Sequence, residues 1–264
     1  MPSRVIENDY WWYEEKGRGL PVVLLHGFPL DRRIWISQLD DLSAAARIIT
    51  PDLAGFGRSR SGKPFTMESM ADNLRELLKQ LDALPCVLGG LSMGGYVSLA
   101  FARKYAGDLR GLMIINSKAE ADNGPAREGR AKMIEMVKTQ GPPAIAEAMF
   151  PKMLCQKTID EQPKIANFVR SMMNACPALT VEHALAAMRD RPDSSELLAN
   201  LTMPVHFIGG EFDAISPPDL VKAMQSRAPG SGMTIIQSAG HLTPLERPAE
   251  VTRAIAEFIA TITP

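Results

Sequence analysis

Short strand-like runs recur along the first part of the chain, separated by stretches with helical spacing. Residues 21–25 (Pro-Val-Val-Leu-Leu), 47–50, 86–90 and 112–115 are strand-length runs rich in Val, Ile and Leu. Such runs suit strands covered on both faces. Between the second and third, Met67, Met70, Leu74, Leu77, Leu78, Leu81 and Leu84 return at three- and four-residue intervals. They predict an amphipathic helix, with Thr66 placed to cap its start. A shorter helix is expected over 34–42. Residues 5–16 alternate and carry Tyr10, Trp11, Trp12 and Tyr13, which predicts a strand pair or hairpin. Its tryptophans read as sheet packing rather than as a binding cage.

The pattern changes near residue 117. Strand-length runs vanish until about 198, replaced by helical stretches over 127–138, 143–154, 163–175 and 180–189, broken by prolines. Alternation then resumes with a strand over 204–210, a helix over 217–228, a strand over 233–236 and a closing helix over 248–262. Strands alternating with helices imply right-handed crossovers and a parallel sheet covered on both faces. The expected fold is therefore α/β, a mostly parallel twisted sheet with helices on both faces. Residues 1–117 and 199–264 would form the core, and 118–198 a helical cap inserted after the sixth strand.

Composition narrows the partners. With 29 Lys and Arg against 30 Asp and Glu in 264 residues, no block of like charge invites nucleic acid or an anionic membrane. Cys86, Cys155 and Cys176 form neither a disulfide framework nor a zinc spacing, and four scattered histidines argue against a metal site. No apolar run approaches the roughly 18 residues of a membrane span. The opening residues, with Arg4, Glu7 and Asp9, lack the apolar centre of a signal peptide. A cytoplasmic protein without metal or cofactor is expected, acting on a small molecule.

The candidate chemistry centres on Gly90-Leu91-Ser92-Met93-Gly94. The motif G-x-S-x-G suits a strand that turns into a helix at one residue. Such a turn strains the serine backbone and brings its two arms so close that only glycine fits beside it. The hydroxyl stands at the top, beside the first unpaired N–H groups of the helix. A flexible glycine-rich loop would match the same letters, so context decides. In an open parallel sheet, sites lie beyond the carboxyl ends of strands. The other strand ends deliver His26-Gly27-Phe28, Glu211 with Asp213, and Ala239-Gly240-His241. A serine needs a base, the base needs an orienting carboxylate, and the order Ser92, Asp213, His241 suits an elbow serine completed by the last strands.

The sequence resembles the α/β-hydrolase family over almost its whole length. The matching pieces are His26-Gly27-Phe28-Pro29, residues 52–59 (Asp-Leu-Ala-Gly-Phe-Gly-Arg-Ser), the elbow with Gly95, Gly209-Gly210-Glu211-Phe212-Asp213, and Ala239-Gly240-His241 with Glu246 and Pro248 following. It is most similar to the small capped branch of carboxylesterases, enol-lactonases and cofactor-free haloperoxidase-like enzymes. The resemblance implies Ser92 as nucleophile, His241 as general base and acid, and Asp213 as the orienting carboxylate. It also implies an oxyanion hole from the backbone N–H groups of Phe28 and Met93. Cleavage of small to medium carboxylic esters through an acyl-enzyme would follow.

Alternatives stand beside these expectations. Glu211 could replace Asp213, whereas Glu120 and Asp122 could reach only through a longer loop, since the end of the sixth strand holds Asn116 and Ser117. His26 would brace the oxyanion loop, His206 would sit in the core, and His183 would be solvated. Asp52 and Arg58 would support the site, and Glu246 would accept a hydrogen bond near His241. Phe28, Trp35, Met93, Ile215 and Leu242 are candidates to line the substrate. A lactonase or perhydrolase would use the same triad, and a non-catalytic binding protein could keep the same fold.

Overall fold

A computed structural model describes residues 3–7 and 9–262, so the extreme ends of the expected core segments lie outside it. Eight strands form one sheet: β1 (Ser3–Ile6), β2 (Asp9–Lys16), β3 (Pro21–Leu25), β4 (Arg47–Pro51), β5 (Cys86–Leu91), β6 (Leu109–Ile115), β7 (Val205–Gly210) and β8 (Gly232–Ile236). Their spatial order is β1-β2-β4-β3-β5-β6-β7-β8. Only the pairings of β2 with β1 and β4 are antiparallel; β4 to β8 run parallel. The parallel pairing brings the carboxyl ends of β3, β5, β6, β7 and β8 to one edge.

Alternate side chains of the central strands serve two cores. Val23 and Leu25 of β3, Leu88 of β5 and Leu112 and Ile114 of β6 join one hydrophobic cluster. Val22, Leu24, Val87, Met113 and Ile115 join the other. This two-sided burial explains why the runs are continuously apolar. The first cluster is covered by α2 (Met67–Gln80), α3 (Met93–Tyr105) and α9 (Pro218–Arg227), the second by α1 (Ile36–Asp41) and α11 (Pro248–Ala260). Helix α2 starts in a reciprocal cap, Ser69 N–H donating to Thr66 Oγ1 and Thr66 N–H to Ser69 Oγ. Trp11 is fully buried in the core. Trp12 departs from plain sheet packing, because its ring lies under the Arg58 guanidinium, 4.9 Å from the centroid.

Between β6 and β7 the chain passes through α4 (Gly124–Gln140), α5 (Pro142–Met149), α6 (Gln156–Glu161), α7 (Pro163–Ala175) and α8 (Ala178–Asp190). Helix α6 is polar and six residues long, too short to show a period. Helix α10 (Thr243–Glu246), just after His241, is shorter still. His183 on α8 is half-buried with its ring edge-on to Phe65, rather than solvated. His206 is partly buried, its ring 5.6 Å from that of Phe258 in the second cluster, and it also shares a 2.9 Å hydrogen bond with Thr234 Oγ1. Among the described residues no helix is long and apolar enough to cross a membrane.

Entry to and exit from this helical segment are stapled together. Ser194 N–H donates to Ala119 O and Ala121 N–H to Asp193 Oδ2. Arg191 donates to Asp122 Oδ1 at 2.9 Å and to Glu120 O at 2.7 Å, its guanidinium 3.9 Å from the Tyr96 ring centroid on α3. Arg191 and Asp122 side chains are 3% and 1% exposed. Removing one partner of a buried pair strands the other charge. Asp122→Ala is expected to cost about 3 kcal/mol in urea unfolding. Asp219→Ala, which breaks an exposed pair with Lys222, should change stability by less than about 0.5 kcal/mol. Equal effects for the two would refute the staple.

Candidate active site

Strand β5 passes into α3 at Ser92 with no intervening loop. Ser92 adopts φ 54° and ψ −114°, left-handed backbone in a residue with a side chain. Conformations of this kind cost on the order of 1–3 kcal/mol. Its neighbours hold it there: Ser92 N–H donates to Ile115 O at 2.9 Å, and Ser92 O accepts from Gly95 N–H and Ser117 Oγ. The flanking glycines are required by contact. A Cβ on Gly90 would lie 2.1 Å from Gly94 O, and one on Gly94 would lie 2.7 Å from Leu25 O.

The loop after β3 presses against this elbow. A Cβ on Gly27 would stand 3.1 Å from Ser92 Cβ, which puts the Phe28 backbone beside the serine. Among the described residues, the N–H groups of Phe28 and Met93 have no acceptor. His26 braces the loop from beneath. Its Nδ1 donates to Gly27 O at 2.9 Å and its Nε2 accepts from Leu53 N–H at 3.0 Å. That pair of bonds needs neutral imidazole, and burial accordingly pushes its pKa down. Buried Asp52 accepts from the N–H and guanidinium of Arg32 and from Arg58 N–H, each at 2.8 Å. Asp52 thus ties the 52–59 loop to the loop after β3, and among the described residues no hydrogen bond joins Asp52 or Arg58 to Ser92, Asp213 or His241.

Asp213 and His241 come together beyond β7 and β8. His241 Nδ1 lies 3.0 and 2.9 Å from the two carboxylate oxygens of Asp213. Asp213 Oδ1 also accepts from the N–H groups of Ile215 and Ser216, and Oδ2 from Asn116 Nδ2 at 2.9 Å. Burial works against the charge, but His241 and these donors together hold the Asp213 carboxyl below the usual carboxylate range. The bond at Nδ1 leaves Nε2 as the side of the ring that can take a proton. Glu211 instead accepts from Ser238 N–H at 2.8 Å, away from the imidazole. Asp122 is engaged with Arg191 as described above.

Ser92 and His241 stand on the same sheet edge, with Asn116 on the strand end between the elbow and Asp213. Among the described residues no hydrogen bond yet joins the Ser92 hydroxyl to the imidazole, a contact that free enzymes often complete only with substrate. Asn116 was legible only as a position without an acid. Its orienting role depends on Thr243 Oγ1, which donates to its Oδ1 at 2.6 Å and turns the amide N–H₂ toward Asp213. Of the expected lining residues, Phe28 and Met93 flank the elbow and Ile215 is half-buried after Asp213. Trp35 and Leu242 are fully buried in the hydrophobic cluster that also takes in Phe150, Met153 and Met172 of the inserted helical segment. All three cysteines are free and buried, and burial pushes the Cys176 thiol up to about 12. Among the described residues no group of three or more His, Cys, Asp or Glu is arranged to hold a metal ion.

Comparison with known proteins places this geometry. The model of the alpha/beta hydrolase family matches residues 22–254. The chain is similar to a thermophilic esterase from Thermogutta terrifontis solved with malate bound, at 42% identity and TM-score 0.94, covering 99% of this chain and 97% of that one. It is 26% identical to the AB hydrolase superfamily protein YisY of Bacillus subtilis, over 93% of each chain. The enol-lactonase of Burkholderia xenovorans LB400 shares the fold at 20% identity and TM-score 0.91, covering 98% of this chain and all of that one.

The His26 brace has a pH signature. Its folded pKa lies below the unfolded one, so on acidification the unfolded chain takes the proton first. Stability is therefore lost as pH falls below the unfolded value of about 6.5. Unfolding free energy should drop between pH 7 and 5.5, and drop less in His26→Gln, which keeps an acceptor for Leu53 N–H. Equal losses in both proteins would contradict neutral, buried His26.

Proposed function

The chain belongs to the alpha/beta hydrolase family, and from that premise we propose that it is a serine hydrolase cleaving carboxylic esters of small to medium size. One observation carries the reading: a strained elbow serine beside two free backbone N–H groups, with an Asp–His pair on the neighbouring strand ends. In this mechanism Ser92 Oγ attacks the ester carbonyl carbon while its proton passes to His241 Nε2. The carbonyl oxygen becomes an oxyanion and accepts from Phe28 and Met93 N–H, each donor being worth about 3 kcal/mol. The tetrahedral adduct collapses, the alcohol leaves with the proton from His241, and the acyl group stays on Ser92. Water then gives a proton to His241 and attacks the acyl carbon. The second collapse releases the acid and returns the proton to Ser92. Asp213, ionised throughout, holds the Nδ1–H tautomer and offsets the charge of the imidazolium.

The similarity to a named esterase at 42% identity supports the ester class. Helices α4–α8 act as the cap, and their close seat on the His241 loop, with Leu242 N–H donating to Met153 O at 3.1 Å, supports a substrate of modest size. The test is turnover of p-nitrophenyl esters from acetate to decanoate. Wild type should prefer the shorter half of the series, and Ser92→Ala should lower kcat/KM by at least about a thousandfold. Turnover that persists in Ser92→Ala, or no turnover at all, would overturn the proposal. A faster reaction with lactones, or with peroxide plus acetate, would reassign the chemistry on the same triad.

A further inference from the structure

Glu246 is a charged side chain only 2% exposed, and neither the elbow, the oxyanion donors nor the Asp213 contact uses it. It lies on α10, one turn after His241. Its two carboxylate oxygens face different parts of the molecule. Oε1 accepts from the N–H of Gly240, the residue before His241, at 2.8 Å. Oε2 accepts from Cys155 N–H at 2.8 Å, in the helical segment between β6 and β7. A carboxylate bridging two backbone donors is strongly bonded and tolerates little displacement.

The same short stretch of the helical segment meets the histidine loop twice more. Leu242 N–H donates to Met153 O at 3.1 Å, and Cys155 Sγ to Ser238 O at 3.4 Å. The fit leaves no slack: a Cβ on Gly240 would lie 2.5 Å from Cys155 N. His241 is thus bracketed, with residue 240 fixed through Glu246 and residue 242 fixed through Met153. The backbone on either side of His241 is held by a part of the chain that enters from outside the sheet.

We propose that Glu246 is a positioning residue for His241, coupling the seat of the helical segment to the angle at which the imidazole meets Ser92. The proposal rests on the serine-hydrolase reading above. Glu246 touches no reacting atom and acts only through the Gly240 peptide. Freed from the bracket, His241 would keep its Asp213 partner but lose the aim of Nε2, which matters because an error of about 1 Å in such a group can cost a hundredfold in rate.

The experiment compares kcat, KM and thermal midpoint for p-nitrophenyl acetate in wild type, Glu246→Gln and Glu246→Ala. Gln keeps the shape but only one acceptor oxygen, so it guards against a variant that merely fails to fold. We expect kcat to fall on the order of 10- to 100-fold in Glu246→Gln and further in Glu246→Ala. KM should stay within about twofold, the pattern of an interaction lost in the transition state, and the Gln variant should melt close to wild type. Wild-type kcat in Glu246→Gln, or a fall only in proportion to the folded fraction, would overturn the positioning role. In that case wild-type turnover lost in Ser92→Ala would leave the hydrolase reading standing. A wild type without Ser92-dependent turnover would overturn both.

Discussion

A residue with a side chain persists in left-handed backbone only where its surroundings leave it no other choice. Ser92 is in that position, and much of the molecule can be understood as the means of keeping it there. Leu25 and His26 carbonyls close against Gly94, Gly94 closes against Gly90, and Ile115 and Ser117 bind the serine peptide from β6. The strain cannot relax by shifting the helix, because the start of α3 is caught between two strands. What it secures is a half-buried serine with unpaired N–H groups beside it, on an element too crowded to drift.

The remaining parts of the site depend on that edge through backbone and buried polar contacts. His26 and Asp52 hold the loop after β3 with bonds that each require a particular protonation state, neutral imidazole in one case and carboxylate in the other. Asn116 links the end of β6 to Asp213 and, through Thr243, to the helix that follows His241. Buried polar groups cost stability unless they are satisfied, and here the satisfied groups lie along the carboxyl ends of the strands. The two hydrophobic clusters supply the bulk of the burial, while these polar bonds set angles.

Much of this was legible before any coordinates. Strands buried on both faces announce themselves as apolar runs, and α2 announced itself by its period and by Thr66. The elbow glycines and the residues Asp213 and His241 could be picked out because strand ends are where chemistry collects in a parallel sheet. What escaped had no local signature. Helices α6 and α10 are shorter than two turns. Asn116 matters through Asp213, a partner distant in sequence; Glu246 accepts near His241 as expected, from Gly240 N–H, but no spacing along the chain encodes its second partner, Cys155. His183 was misread in the same way, its neighbour Phe65 coming from another element.

The central claim is that one alcohol oxygen in the chain is made nucleophilic by a histidine that an aspartate orients. Covalent labelling examines it without reference to any natural substrate. After exposure to a p-nitrophenyl phosphonate, intact mass and peptide mapping should find a single adduct on Ser92. The labelling rate should collapse in His241→Ala and fall markedly in Asp213→Asn. An adduct on another residue, or labelling of Ser92 at an undiminished rate without His241, would contradict the account.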